Sequence, residues 1–129
     1  MANLRNANPS KLWDWEFLND CFTNVDPSSK IRVSDIDGIV ERNGQMLVIE
    51  NKKPNEKMPY GQKLTLESFA AQGHTVLVVY GDSPEEITSY EIWRLSSRQR
   101  HDSATTEEVK RRVESWFAWA NSIRIGASA

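Results

Sequence analysis

The 129-residue chain has one cysteine, Cys21, so no internal disulfide can form, and this fits a reducing cytoplasm. Its two histidines, His74 and His101, lack metal-ligand spacing to each other or to Cys21, which argues against a zinc site. No apolar run approaches the roughly 20 residues that a membrane span needs, so no membrane partner is expected. The polar opening MANLRNANPS lacks the apolar core of a signal peptide. A net charge of −2 does not advertise a polyanionic partner, although a whole-chain sum leaves room for local basic patches. Repeats and low-complexity tracts are absent. Hydrophobic residues at 39% and charged residues at 26% place the chain among ordinary globular proteins. The length suits a single domain over 1–129, with 1–9 as a loose polar arm.

The informative stretch is VSDIDGIVERNGQMLVIENKK, residues 33–53. Asn43-Gly44 is a strong hairpin signal, since both residues tolerate the positive φ of a type I′ turn. The spacing predicts strands over about 34–42 and 45–53. Val33, Asp35 and Asp37 would share one face of the first strand. The second is continuously apolar over Met46–Ile49 and then ends in Glu50-Asn51-Lys52, with Glu50 and Lys52 pointing the same way. Four apolar residues running straight into Glu50 imply a buried strand whose charges face a sheet edge or cleft.

Around the hairpin, Ser10 reads as the N-cap of a helix over about 11–23, with Trp13, Phe17 and Cys21 as an apolar stripe widened by Leu18 and Phe22. Lys53-Pro54 ends the second strand, because Pro54 cannot donate to a ladder. Residues 54–61 read as a mobile loop. A second helix is expected over 62–72, closed by Gly73, with Leu66, Phe69 and Ala70 buried. HTVLVVYG (74–81) reads as a strand covered on both faces. Ser83–Glu86 forms a turn, and 88–96 an edge or near-edge strand. SRQRHDSA (97–104) reads as a polar loop carrying Arg98, Arg100 and His101. Thr105, with Glu108 three residues on, caps a last helix to about 123. Val109, Val113, Trp116, Phe117, Ala120 and Ile123 form its apolar face, while Trp119, like Trp15 on the first helix, lies off it. Either tryptophan is core or marks a dimer interface. The order α-β-β-α-β-β-α gives an α/β domain with a mixed sheet of about four strands flanked by helices.

Asp37 and Glu50, facing across the hairpin, supply the one or two carboxylates with which a Mg²⁺ site is usually built, and the backbone carbonyl of Asn51 offers a further oxygen. Lys52, on the same side as Glu50, is placed to contact a phosphate or to orient the attacking water. Asp35 remains an alternative to Asp37, because the strand period does not separate them.

Asp37, 12 intervening residues and then Glu50-Asn51-Lys52 resemble the D…(D/E)xK signature of the PD-(D/E)XK nuclease superfamily, over about residues 11–81. Within it the chain looks most like small phage-type nucleases and the VRR-NUC and junction-resolvase branch. The proline that often precedes the first Asp is replaced here by Ile36. The resemblance implies a restriction-endonuclease-like α-β-β-α-β core and Mg²⁺- or Mn²⁺-dependent hydrolysis of DNA phosphodiesters. It also implies a cytoplasmic setting, the host's if phage-encoded. By position it adds Glu16 from the first helix as a metal ligand, and Gln62 or Lys63 from the start of the second helix, with Gln62 preferred on helical phase. Structure- or end-selective cleavage, with a homodimer as one way to achieve it, is expected of so small a chain.

The competing reading is a surface hairpin with an exposed salt bridge between Glu50 and Lys52 or across the strands, worth little. A fold of this kind without catalysis, acting as a binding protein, is the other functional class. Arg98, Arg100 and His101 with Lys110, Arg111 and Arg112 offer a phosphate-binding surface, against which stands a plain solvated loop and helix face.

Overall fold

A computed structural model describes residues 14–123. The expected arm over 1–9, Ser10 and Trp13 lie outside the described residues. The chain packs as two compact units, one up to Asp35 and one from Ile36 onward. In the first unit, α1 (Glu16–Val25) has Trp15 at its N-cap and no buried residue. The expected stripe is therefore not a core face: Phe17 and Cys21 are exposed and Leu18 and Phe22 only partly covered.

The second unit is a five-stranded sheet in the order β1-β2-β3-β4-β5. Its strands are β1 (Gly38–Arg42), β2 (Gln45–Lys52), β3 (Thr75–Gly81), β4 (Ile87–Arg94) and β5 (Ser97–Asp102). β2 and β3 run parallel and the other neighbours antiparallel, which makes the sheet mixed, as expected. The hairpin turn forms at Asn43 (φ 52°) and Gly44 (φ 82°), both left-handed as a type I′ turn demands.

The parallel β2–β3 pair needs a crossover, and α2 (Tyr60–Ala71) provides it, ending at Gly73 with φ 93°. Because strand side chains alternate, the two faces of the sheet carry two separate cores. Leu66 and Ala70 of α2 pack on Val48, Val76, Val78, Tyr80 and Trp93. On the other face, Trp116 and Ala120 of α3 (Thr106–Ser122) pack on Leu47, Leu77 and Tyr90. Val48, Val76 and Val78 are fully buried, each worth roughly 1.5–3 kcal/mol of transfer free energy. Thr105 caps α3 by accepting from the Glu108 backbone N–H at 3.2 Å, and Asn43 ties the hairpin tip to the end of that helix by donating to the Ala120 carbonyl at 3.0 Å.

Four expectations are corrected. The segment 97–104 is not a loop: Ser97–Asp102 is an edge strand, which raises the expected four strands to five. The first hairpin strand begins at Gly38 and not at 34, leaving Asp35 and Asp37 ahead of it. Tyr60 and Gly61, expected in the loop from 54, already belong to α2, whereas 54–59 are a loop, as expected, that opens on a hydrogen-bonded turn. Phe117 is about half exposed (47%), outside the buried face of α3.

Candidate metal centre

The centre lies where β2 ends beside the start of α2. Backbone pairing of β1 and β2 stops at Gly38 with Ile49, so Asp37, one step earlier, is opposite Glu50. Pairing stops there because the Asn51 N–H donates to the Asp37 carboxylate at 2.9 Å instead of to a strand carbonyl. The residue that takes this bond is Asp37, while Asp35 belongs to the first unit.

Glu50 and Lys52 project from the α2 face of the sheet, the face that also carries Val48, and both are buried, at 5% and 7% exposure. An exposed surface salt bridge is thereby excluded. The Lys52 Nζ lies 4.0 Å from Glu50 Oε2 and 3.7 Å from Glu56 Oε2. Gln62, on the first turn of α2, donates from Nε2 to Glu50 Oε2. Glu50 Oε1 and Gln62 Oε1 are buried without a hydrogen-bond partner. The Glu50 carboxyl is pushed above its ordinary value, first by burial and then by the Asp37 charge, against the opposing pull of Lys52, the Asp37 backbone and Gln62.

This donor set fits a hard divalent cation. The orphaned oxygens are acceptors with nothing to accept from, and two carboxylates with a carbonyl match what Mg²⁺ takes from protein, the remainder being water or phosphate oxygen. No cluster of three or more His, Cys, Asp and Glu side chains able to hold a metal occurs among the described residues.

Asp37, Glu50, Asn51, Lys52 and Gln62 are thus brought together. Glu16 belongs to the first unit, where its carboxylate pairs with Arg32 at 2.8 Å and both side chains are largely exposed. His74 accepts from the Met46 N–H through Nδ1, a structural role.

Across the same row of the sheet, Glu50 pairs in register with Val78, Val78 with Glu91, and Glu91 with Arg100. Glu91 was not foreseen as anything but a strand residue, yet it is buried and accepts from Trp93 Nε1 (2.9 Å), Arg98 Nε (2.9 Å) and Arg100 Nη1 (2.8 Å). Burial raises its carboxyl, but those three hydrogen bonds and the Arg98 charge outweigh burial and hold it below the ordinary value. Arg98 also stacks over Trp93 and Arg100 over Tyr80. Arg112 donates to the Tyr90 hydroxyl at 2.9 Å. These arginines are therefore not merely solvated, and Arg98 and Arg100 stay about half exposed on the α2 face of the sheet.

Glu56 is the second residue that the sequence reading missed. The signal was available in Lys53-Pro54-Asn55-Glu56, since proline followed by asparagine suits the two central positions of a type II turn.

No family model, curated protein or solved structure matches the chain. No described helix is long and apolar enough to cross a membrane.

Proposed function

We propose that the protein is a Mg²⁺- or Mn²⁺-dependent nuclease that hydrolyses DNA phosphodiester bonds, of the PD-(D/E)XK kind its hairpin resembles. The observation that carries the reading is Glu50, a carboxylate at 5% exposure with one oxygen unpartnered, beside a lysine that is equally buried. Keeping such a group ionised is unfavourable unless a cation meets it. Structural carboxylates are hydrogen-bonded throughout, as Glu91 is.

In this reading Asp37 and Glu50 hold the cation and the Asn51 carbonyl adds an oxygen. Gln62 engages Glu50 Oε2 and so orients the carboxylate with Oε1 left for the cation. A bound Mg²⁺ supplies charge stabilisation at the phosphate and a water nucleophile near neutral pH. Lys52, screened from bulk water, directs its ammonium at the negative charge that builds on the phosphate during attack. Arg98 and Arg100 present half-exposed guanidinium groups from the edge strand on the same side of the sheet, suited to DNA backbone phosphates.

The test is cleavage of plasmid, linear and branched DNA with Mg²⁺. Glu50→Gln and Lys52→Met should each lower the rate by about a hundredfold or more, the scale on which positioned charge acts. Variants that cleave as well as the parent refute the assignment. So does a parent that neither cleaves nor binds Mn²⁺.

A further inference from the structure

The segment after β2 brings a half-exposed carboxylate, Glu56, to the ammonium of Lys52. Lys53, Pro54, Asn55 and Glu56 form a hydrogen-bonded turn in which the Glu56 N–H donates to the Lys53 carbonyl at 3.0 Å. Pro54 at the second position fixes a negative φ, and Asn55 at the third has φ 65°, the combination that defines a type II turn. The turn is closed a second time, because the Lys53 N–H donates to Glu56 Oε1 at 2.8 Å. One oxygen of Glu56 is thus spent on the turn. The other, Oε2, faces Lys52 Nζ at 3.7 Å, slightly closer than Glu50 Oε2 at 4.0 Å. Downstream, Met58 packs on the α2-side core and pins the segment.

We propose that Glu56 is the positioning residue for Lys52, holding its ammonium in place when a divalent cation occupies Glu50 and Asp37. The proposal rests on the nuclease reading given above. A lysine at 7% exposure needs a counter-charge, and in the absence of a cation Glu50 and Glu56 share that task. Once a divalent cation draws on the Glu50 charge, it repels the ammonium a few ångströms away, and Glu56 is the carboxylate attracting it from the other side. Without Glu56 the ammonium has only Glu50 to pair with and competes with the cation for the same oxygens. A doubly closed turn fits the task, since it delivers the carboxylate with little freedom left to lose.

The experiment is a double-mutant cycle on the full chain with Glu56→Gln, Lys52→Met and both together, read by calorimetric titration with Mn²⁺ and by DNA cleavage. Glutamine keeps an oxygen for the Lys53 N–H, so the turn survives and only the charge is lost. Glu56→Gln should weaken Mn²⁺ binding about tenfold, the usual scale for a group acting behind a ligand, and lower kcat by a similar factor with KM little changed. In the Lys52→Met background the same substitution should alter Mn²⁺ binding by less than about twofold, because the intermediary is gone. Equal losses in both backgrounds make Glu56 a metal ligand and overturn the proposal. A parent that binds Mn²⁺ and cleaves DNA, with a Glu56→Gln variant indistinguishable from it, overturns the proposal alone and leaves the nuclease reading standing. A parent that does neither overturns both.

Discussion

Replacing Glu50 with glutamine should stabilise the protein and abolish its response to metal. The carboxylate is 5% exposed, and its Oε1 has no partner. An unsatisfied buried acceptor costs about 1–3 kcal/mol, and the Asp37 charge adds to that. Lys52 at 4.0 Å and the Gln62 amide offset part of it. Glutamine keeps the shape and an oxygen for Gln62 Nε2, and it removes the charge. It also puts an amide donor in place of the orphaned acceptor, within the same cluster as the unpartnered Gln62 Oε1, for a net gain of about 1–2 kcal/mol near pH 7. For a domain of this size that is a Tm rise of about 5 °C. The sign with pH follows from a folded-state pKa raised above the ordinary 4.5. Below 4.5 the carboxyl is protonated in both folded and unfolded chains, and the parent carries no charge penalty. As pH climbs through the raised folded value the folded state must ionise a buried group, and the parent falls behind the variant. Urea denaturation followed by tryptophan fluorescence, repeated across pH, reads the gap. Mn²⁺ at a hundred times its Kd should stabilise the parent by about 2.7 kcal/mol and leave the variant unmoved, which inverts their order. The reasoning is refuted if Glu50→Gln is the less stable protein near neutral pH without metal, if the gap ignores pH, or if Mn²⁺ stabilises both equally.

Glu91→Gln should do the opposite, losing about 2–3 kcal/mol near pH 7, because it weakens charge-assisted hydrogen bonds from Arg98 and Arg100, discounted here for their half-exposed guanidinium groups. Its folded-state pKa is depressed, so the stability it contributes is present above 4.5 and is lost as pH falls through the folded value. The gap between parent and variant should therefore close in acid in the same urea titrations, and a constant gap would sink the argument. Asn43→Ala should cost about 2 kcal/mol, one for alanine at φ 52° and one for the lost bond to the Ala120 carbonyl. A loss under about 0.5 kcal/mol by chemical denaturation would show that the hairpin tip does not brace α3.

Much of the fold was legible where local chemistry and burial agree. Asn43-Gly44 could only be a tight turn between apolar runs, HTVLVVYG only a strand with both faces covered, and Thr105 with Glu108 only a helix start. Edge strand β5 was hidden because Ser97–Asp102 contains no apolar residue. What holds its α2-side face is Glu91, a long-range partner that no local pattern reveals. Asp37 was read as a strand residue, whereas its side chain ends the pairing by taking the Asn51 N–H. Phe117 falls in helical phase with Trp116 and Ala120, but the buried strip of α3 is narrower than the apolar strip of its sequence. At the site, the shared face of Glu50 and Lys52 followed from strand phase and the sheet-facing side of Gln62 from helix phase, whereas the place of Gln62 beside Glu50 came with the resemblance. Glu56 followed from none of these, because its place depends on the left-handed Asn55 and on a turn inside a segment that the sequence marks only as a loop.

Glu50 and Glu91 stand in one row of the sheet with Val78 between them, on the same face and equally buried, yet their carboxyls are pushed in opposite directions. Burial raises both, so burial is not what distinguishes them. The difference is in what each oxygen meets. Both Glu91 oxygens accept from a guanidinium group and one of them also from an indole, whereas Glu50 has one oxygen on Gln62 and one on nothing. Were Glu50 there for stability alone, the arrangement around Glu91 shows what this sheet can build around a carboxylate, and a hydrophobic residue would fit its site better still. A buried acid left short of donors is relieved by taking up a proton or by a cation from outside the chain, and the proposed metal site is the second of these. That asymmetry makes the Glu50 end of the row the place to look for chemistry, and the Glu91 end the rigid support for the arginines beside it.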